Sequence, residues 1–221
     1  MQSADTVFAG SIPALYDQYL GPALFEPYAV DLAGRLTGLT AGSLLEIAAG
    51  TGRVTRALAR TLPPAVTITA SDLNQAMVDF AAAQPIARPV SCRQADALAL
   101  PFFDDSFDVV VCQFGVMFFP DKMAGYREAR RVLKPGGRFL FSVWGPLEAN
   151  EFGRVTTEAL ASLFPDDPPL FLARIPHGYH DLSAIAAQLE GAGFTSVAID
   201  KVAMTSELAT ADHLAKGFCQ G

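Results

Sequence analysis

Apolar and polar positions along this chain follow two rhythms. Short apolar runs at 43–48, 66–71, 90–94, 107–113 and 137–144 read as strands, and stretches of helical period at 52–62, 74–84 and 121–133 lie among them. Phe107 to Cys112 is apolar except for Asp108, the mark of a strand covered on both faces. Within 52–62, Val54, Leu58 and Leu62 recur every four residues, while Arg53, Arg56 and Arg60 take the opposite side. Strands alternating with helices predict an α/β fold built on a parallel sheet with right-handed crossovers.

The flanks break the alternation. Residues 11–37 carry helical patterning with Tyr16, Tyr19, Phe25 and Tyr28, interrupted by Gly21-Pro22 and by Pro27, and so predict two short helices rather than one long one. Lys134-Pro135-Gly136-Gly137 has the chemistry of a turn, since Pro fixes φ and Gly permits a positive one. After a helix predicted near 150–164 comes a Pro-rich stretch, Pro165 to Pro169, and then Ile175-Pro176-His177-Gly178-Tyr179-His180, the composition of a binding loop. A helix near 181–192, closed by Gly191 and Gly193, precedes a strand-like Phe194–Val202 and a helical 208–217. Without a repeat or a linker, residues 1–221 read as one domain: a helical lid (1–40), a core (41–145), a substrate-side insertion (146–180) and a C-terminal part (181–221).

Composition narrows the function. Half the chain is hydrophobic (51%) and only 18% is charged, which supports a large core. The net charge is −7, from 23 acidic and 16 basic residues, and no basic patch forms: Arg127, Arg130, Arg131 and Lys134 are spaced as the solvated face and end of one helix. Nucleic acid is therefore not expected as a partner. Cys92, Cys112 and Cys219 are scattered and odd in number, which argues against a disulfide framework or a metal site and for a reducing cytoplasm. The first basic residue is Arg35, so no charged leader is expected, and no run reaches the roughly 20 apolar residues of a membrane span.

The chemistry concentrates where strand 43–48 gives way to helix 52–62, at Glu46-Ile47-Ala48-Ala49-Gly50-Thr51-Gly52. Small residues there let backbone approach a ligand closely, at the end of the sheet where α/β proteins bind cofactors. Ala48 is expected at a negative φ, where its methyl is harmless. Asp72 ends the next strand 20 residues after Gly52, placed to accept from a ribose. Asn74 reads as a helix N-cap and Met77 as core filler. Gln94-Ala95-Asp96-Ala97-Leu98 leads into Leu100-Pro101-Phe102-Phe103-Asp104-Asp105-Ser106-Phe107-Asp108, and Gln113 into Phe114-Gly115-Val116-Met117-Phe118-Phe119-Pro120. Phe118 and Phe119 read equally well as core.

In these four ordered motifs, from about Leu44 to Trp144, the chain resembles the class I S-adenosylmethionine-dependent methyltransferases of the ubiquinone/menaquinone-biosynthesis type. It departs from them in carrying Ala48 at the first glycine of the loop. The resemblance implies a Rossmann-like, doubly wound, mostly parallel sheet with helices on both faces and an antiparallel element at the C-terminal end. It implies S-adenosyl-L-methionine held by Tyr19, Glu46, Ala48, Gly50, Thr51, Gly52, Asp72, Leu73, Met77, Asp96, Ala97, Gln113, Phe114 and Phe118. Glu46 would orient the loop or the ammonium, Asp72 would take the ribose and Asp96 the adenine amine. Aromatics at Tyr16, Tyr19, Phe25 and Phe118 could close over the sulfonium, although each reads also as packing. Such relatives finish with two antiparallel strands. Only Phe194–Val202 is available here before Gly221, so the last strand is expected to be missing, with an exposed edge that invites pairing and leaves a homodimer open.

The expected activity is methyl transfer to O, N or C of a small organic acceptor. His177, Tyr179 and His180 are candidates for a base, and equally bystanders; none is assigned as catalytic, and no metal is expected. Two alternatives stand beside this reading. A nicotinamide-linked oxidoreductase would need Gly-x-Gly-x-x-Gly and a Tyr-x-x-x-Lys pair, whereas Tyr126 is followed four places on by Arg130. A cofactor-binding protein that has lost catalysis is the other.

Overall fold

The computed structural model describes residues 12–206 and 210–220. Five parallel strands form one sheet: β1 (Gly42–Glu46), β2 (Val66–Asp72), β3 (Ser91–Gln94), β4 (Phe107–Gln113) and β5 (Leu133–Ser142), in the order β3-β2-β1-β4-β5. Successive side chains point to opposite faces, and the core divides accordingly. Leu44, Val109 and Val111 face a layer made by α2 (Glu26–Gly34) and α3 (Arg53–Thr61), where Ala29, Leu32, Val54 and Leu58 are buried. Leu45, Val110 and Cys112 face the other layer, where α5 (Lys122–Val132) and α8 (Leu182–Gly191) bury Tyr126, Ala129, Ile185 and Leu189. A sheet apolar on both faces needs helices on both, and this is the doubly wound arrangement that the family resemblance implies. The chain steps outward from β1 toward β3 and, on the other side, toward β5, so β1 and β4 flank the switch point where such sheets bind ligands.

The predicted strands and central helices form within a few residues of their expected bounds, while the flanks differ. Residues 12–34 make one helical run, not two separated helices: α1 (Ile12–Leu15), a π-helical segment (Tyr16–Phe25) and α2 follow without a break. The wider π turn contains Pro22, whose ring and missing N–H an α-helix would not accept, and Pro27 sits harmlessly in the first turn of α2. Residue 11 lies outside the described residues. Leu133 pairs with Phe107 and Arg138 with Val109, so Lys134–Gly137 bulge out of β5, with Gly136 at φ +79° as the turn chemistry demands.

No strand forms at 194–202, and no antiparallel strand joins the sheet among the described residues. Phe194 and Val197 instead spend their apolar surface on the core, with Phe194 stacked on Phe139 at 5.8 Å, and Asp200 pairs with Arg35. Burial satisfies the alternation that had read as a ladder. α6 (Glu151–Leu163), α7 (Phe171–Arg174), α8 and α9 (Ala211–Gln220) complete the chain; the predicted helix start at 208–209 lies outside the described residues. Arg131, expected on a solvated face, binds the carbonyls of Leu100 and Phe102 and the carboxylates of Asp104 and Glu128, fastening the loop before β4 to α5.

Candidate functional site

The chain leaves β1 still tied to both neighbours: Ile47 N–H donates to the Val111 carbonyl and Ala49 N–H to that of Ser71, each at 2.9 Å. It then turns into α3 through left-handed backbone at Ala48 (φ +52°), Gly50 (+55°) and Gly52 (+80°). The expectation of a negative φ at Ala48 is thus overturned. The reversal from strand to helix needs left-handed residues in close succession, and Ala48 supplies one despite its Cβ. Space for that methyl comes from Gly115, where an added Cβ would stand 2.5 Å from it.

Two carboxylates sit beneath this loop. Glu46 is buried, accepts a 2.6 Å hydrogen bond from Thr55 Oγ1, and has its pKa pushed up to about 8 by burial, with Asp72 adding repulsion. Asp72 is buried too, its Oδ2 accepting from Gly50 N–H at 2.8 Å and its Oδ1 from Asn74 N–H at 2.9 Å. Burial raises its pKa while those two bonds pull it back. Asn74 makes no side-chain cap to α4 (Gln75–Ala83); it serves Asp72 instead, through its backbone N–H and its side chain. The loop is therefore shaped around the carboxylate that the sequence singled out.

A cavity of about 790 Å³ opens over these groups, within the size range of cofactor and ligand sites. Glu46, Ala48, Gly50, Thr51 and Asp72 form its floor, and Leu73, Met77, Asp96 and Ala97 one wall. Asp96 is exposed, with Oδ1 accepting from Leu98 N–H at 2.9 Å. Gln113, Phe114 and Phe118 form the opposite wall. Gln113 donates from Nε2 to the Phe25 carbonyl at 3.0 Å, while its buried Oε1 has no partner among the described residues. Tyr16 and Phe25 close the top, their rings stacked at 4.9 Å. Burial and the nearby Asp72 and Asp17 carboxylates hold the Tyr16 hydroxyl well above the usual phenol range.

Two expected cofactor residues lie elsewhere. Tyr19, one helical turn from Tyr16, turns to α9 and meets His213 edge-on at 4.7 Å. Gly52 caps α3 behind the loop, where an added Cβ would touch Ala81. Conversely, Trp144 and Tyr28 line the cavity without having been singled out as site residues. Trp144 stacks on Phe114 at 3.8 Å with planes 3° apart. The available signal was its position just after β5, at the same end of the sheet as Glu46 and Gln113.

Beyond Trp144 the cavity continues between α6 and the turn after α7, past Asn150, Phe152, Gly153, Thr156, Phe171 and His177. Of the three base candidates only His177 reaches it. Tyr179 is held away by Tyr126 and Gln188 under the Lys122 ammonium, and His180 Nδ1 lies 2.7 Å from the His177 carbonyl. Among the described residues no group of three or more His, Cys, Asp or Glu could hold a metal, and no helix is long and apolar enough to cross a membrane.

The floor fits a cationic amino-acid-bearing nucleoside: buried carboxylates face it, Gly50 leaves open space above the loop, and Gln113 Oε1 is an unused acceptor. Residues 45–141 match the protein family described as a methyltransferase domain. The chain is 37% identical over 118 residues to the ubiquinone/menaquinone biosynthesis C-methyltransferase of Geobacter sulfurreducens, a match covering 52% of this chain and 46% of the relative, about half its length. It is 31% identical over 175 residues to the demethylmenaquinone methyltransferase of Lactobacillus johnsonii, covering 72% of this chain and 70% of that one. In fold it is similar to a crystal structure of an S-adenosylmethionine-dependent methyltransferase from Aquifex aeolicus, with a TM-score of 0.60, 18% identity and coverage of 82% and 87%.

Proposed function

The chain belongs to the S-adenosylmethionine-dependent methyltransferases of the ubiquinone/menaquinone type, and from that premise we propose that it methylates a small, planar organic acceptor held between α6 and Trp144. The observation that carries this reading is one continuous cavity, with the cofactor loop at one end and an aromatic chamber at the other. When bound, S-adenosylmethionine supplies an electrophilic methyl on a cationic sulfur.

The chain's own residues do the rest. Asp72 accepts from the ribose hydroxyls, Asp96 from the adenine amine, and Gln113 Oε1 from the ammonium, whose positive charge draws the proton off Glu46 so that its carboxylate accepts as well. Phe114, Trp144 and Phe25 exclude water, which keeps the reacting groups aligned and poorly solvated; alignment of this kind lowers barriers by about 7–11 kcal/mol. The helical run 12–34 acts as a lid over the donor side. A net charge of −7 and a sequence without a Lys/Arg cluster favour a small molecule over nucleic acid. The free thiols Cys92 and Cys112 go with a cytoplasmic setting.

Calorimetric titration with S-adenosylmethionine and with NADH tests the donor half. Binding of the first and not the second is expected, and the reverse overturns the reading. A panel of phenols, hydroquinones and amines, followed by mass spectrometry for a gain of one methyl, tests the acceptor half. The alternatives of a nicotinamide enzyme and an inactive binding protein correspond to failure of the first and of the second experiment.

A further inference from the structure

His177 is buried to 7% exposure, yet its imidazole lines the acceptor chamber. Nδ1 lies 2.9 Å from the Gly145 carbonyl, and a carbonyl can only accept, so Nδ1 carries the hydrogen and Nε2 keeps its lone pair. Nε2 has no hydrogen-bond partner among the described residues, and it is not among the sealed polar atoms. It opens instead beside Gly153 of α6, where an added Cβ would stand 3.0 Å from it. The turn that holds the ring is specified locally: His177 N–H donates to the Leu172 carbonyl, and a Cβ at Gly178 would meet the Arg174 carbonyl at 2.2 Å. An aligned, tautomer-fixed nitrogen with an open lone pair thus faces the space that the donor-binding loop does not use.

We propose that His177 is a catalytic base of this enzyme, its Nε2 taking the proton from an aromatic or enolic hydroxyl of the acceptor. The inference rests on the methyltransferase reading above. In the step, the O–H bond breaks, its electron pair stays on the acceptor, and the proton goes to Nε2 to give an imidazolium. The pair forms the new bond to the methyl carbon either from oxygen or from the conjugated ring carbon, whose own proton then leaves while the oxygen regains one from the imidazolium, and the carbon–sulfur pair of the donor withdraws onto sulfur. A hydroxyl conjugated to a ring suits this site on two counts. Its anion is weak enough a base to be formed by imidazole, and its plane matches the walls of Phe152, Phe171 and Trp144. Burial lowers the His177 pKa and His180 adds to that, while the Gly145 carbonyl and Glu148 oppose it; on α6 the ring lies beside the uncharged Gly153. The free base is therefore the form present at neutral pH.

The test uses 4-nitrophenol, whose anion absorbs visible light, added to the full chain with S-adenosylhomocysteine filling the donor side. At a pH below the probe's own midpoint, the bound probe is expected to be ionised about tenfold more in the wild-type chain than in His177→Gln. Gly153→Ala, which favours the helix but crowds Nε2, is expected to lose the same signal with His177 intact. Retained affinity for S-adenosylhomocysteine reports that each variant is folded; if His177→Gln loses it, Gly153→Ala decides. Equal ionisation in wild type and the folded variant overturns the proposal, as does failure of the probe to bind the loaded wild-type chain. Loss of S-adenosylhomocysteine binding by the wild type would instead overturn the methyltransferase reading.

Discussion

Arg53 holds Asp17 by three bonds: Nε to Oδ1 at 3.0 Å, Nη2 to Oδ2 at 2.9 Å and Nη2 to the Asp17 carbonyl at 2.6 Å. Arg56 adds a third contact to the carboxylate itself, and Glu26 bridges Arg53 and Arg60. The guanidinium fills the space above Gly21, where a Cβ would collide with it at 2.3 Å, so the π-helical turn is shaped around the arginine. α3 begins at the cofactor loop, and the π segment roofs the cavity; the ion pair couples floor to roof. Asp17→Ala removes the carboxylate that two largely buried cations share, leaving Arg53 to Glu26 and the residue-17 carbonyl and Arg56 to the Thr51 carbonyl, and is expected to destabilise by about 1–3 kcal/mol. Hydrogen exchange over 16–25 should rise and affinity for S-adenosylmethionine fall. Unchanged exchange there would show that aromatic packing alone holds the roof.

The Ala48–Gly115 contact makes a second prediction. Gly115→Ala places a methyl 2.5 Å from Ala48 Cβ and 2.7 Å from Cys112 Sγ, and overpacking of this kind costs about 1–3 kcal/mol. Ala48→Gly alone should change stability by less than about 1 kcal/mol, because relief of the left-handed strain and the added chain entropy oppose one another. Combined, the pair should recover part of the Gly115→Ala loss, since one of its two collisions disappears. Urea unfolding of the four proteins gives the coupling directly. Strict additivity would mean that the loop moves away rather than packing.

Which parts of this molecule were legible in its sequence follows from where local chemistry is sufficient. The β1 loop, Asp72, Asp96 and the Gln113 segment lie at strand ends, and their positions are set by the sheet order that alternating elements dictate. Tyr19 and Tyr16 are three residues apart in a stretch whose pitch the sequence did not reveal. The π turn sends Tyr16 to the cavity and Tyr19 to His213, so the roof's facing depended on tertiary contact with Arg53. Phe194–Val202 alternates as a strand would, but stacking on Phe139 gives its apolar positions burial without a ladder. Ala48 was read as a tolerant substitute for glycine, and only the facing Gly115, 67 positions away, explains how its methyl is housed at positive φ.

Glu46 gives stability a pH dependence of unusual sign for a carboxylate. Its pKa is raised from 4.5 to about 8, so between those values the folded chain holds a proton that the unfolded chain has released. Stability therefore falls as pH rises from about 4.5 to about 8, by on the order of a few kcal/mol for this group. Glu46→Gln keeps an acceptor for Thr55 Oγ1 and removes the titration. It is expected to flatten the decline and to be the more stable protein above pH 8, read from melting temperatures across that range. A wild-type curve as flat as the variant's between pH 5 and 8 would mean that Glu46 is ionised in the fold.

Asp72 and Asp96 separate folding from binding. Both oxygens of Asp72 accept backbone N–H bonds, from Gly50 and Asn74, and an amide in its place offers only one acceptor. Asp72→Asn therefore turns an NH₂ toward a buried donor and should cost about 1–3 kcal/mol of stability, while lowering affinity for S-adenosylmethionine at least about tenfold. Asp96 is exposed and accepts from Leu98 N–H through Oδ1, which asparagine can reproduce, so Asp96→Asn should leave unfolding nearly unchanged. Its effect is expected in calorimetry alone, as weaker binding of the adenosyl cofactor, because the carboxylate is free to face the purine. A Asp72→Asn protein that unfolds like wild type and binds undiminished would remove the carboxylate from both roles, and with it the reason for the shape of the loop.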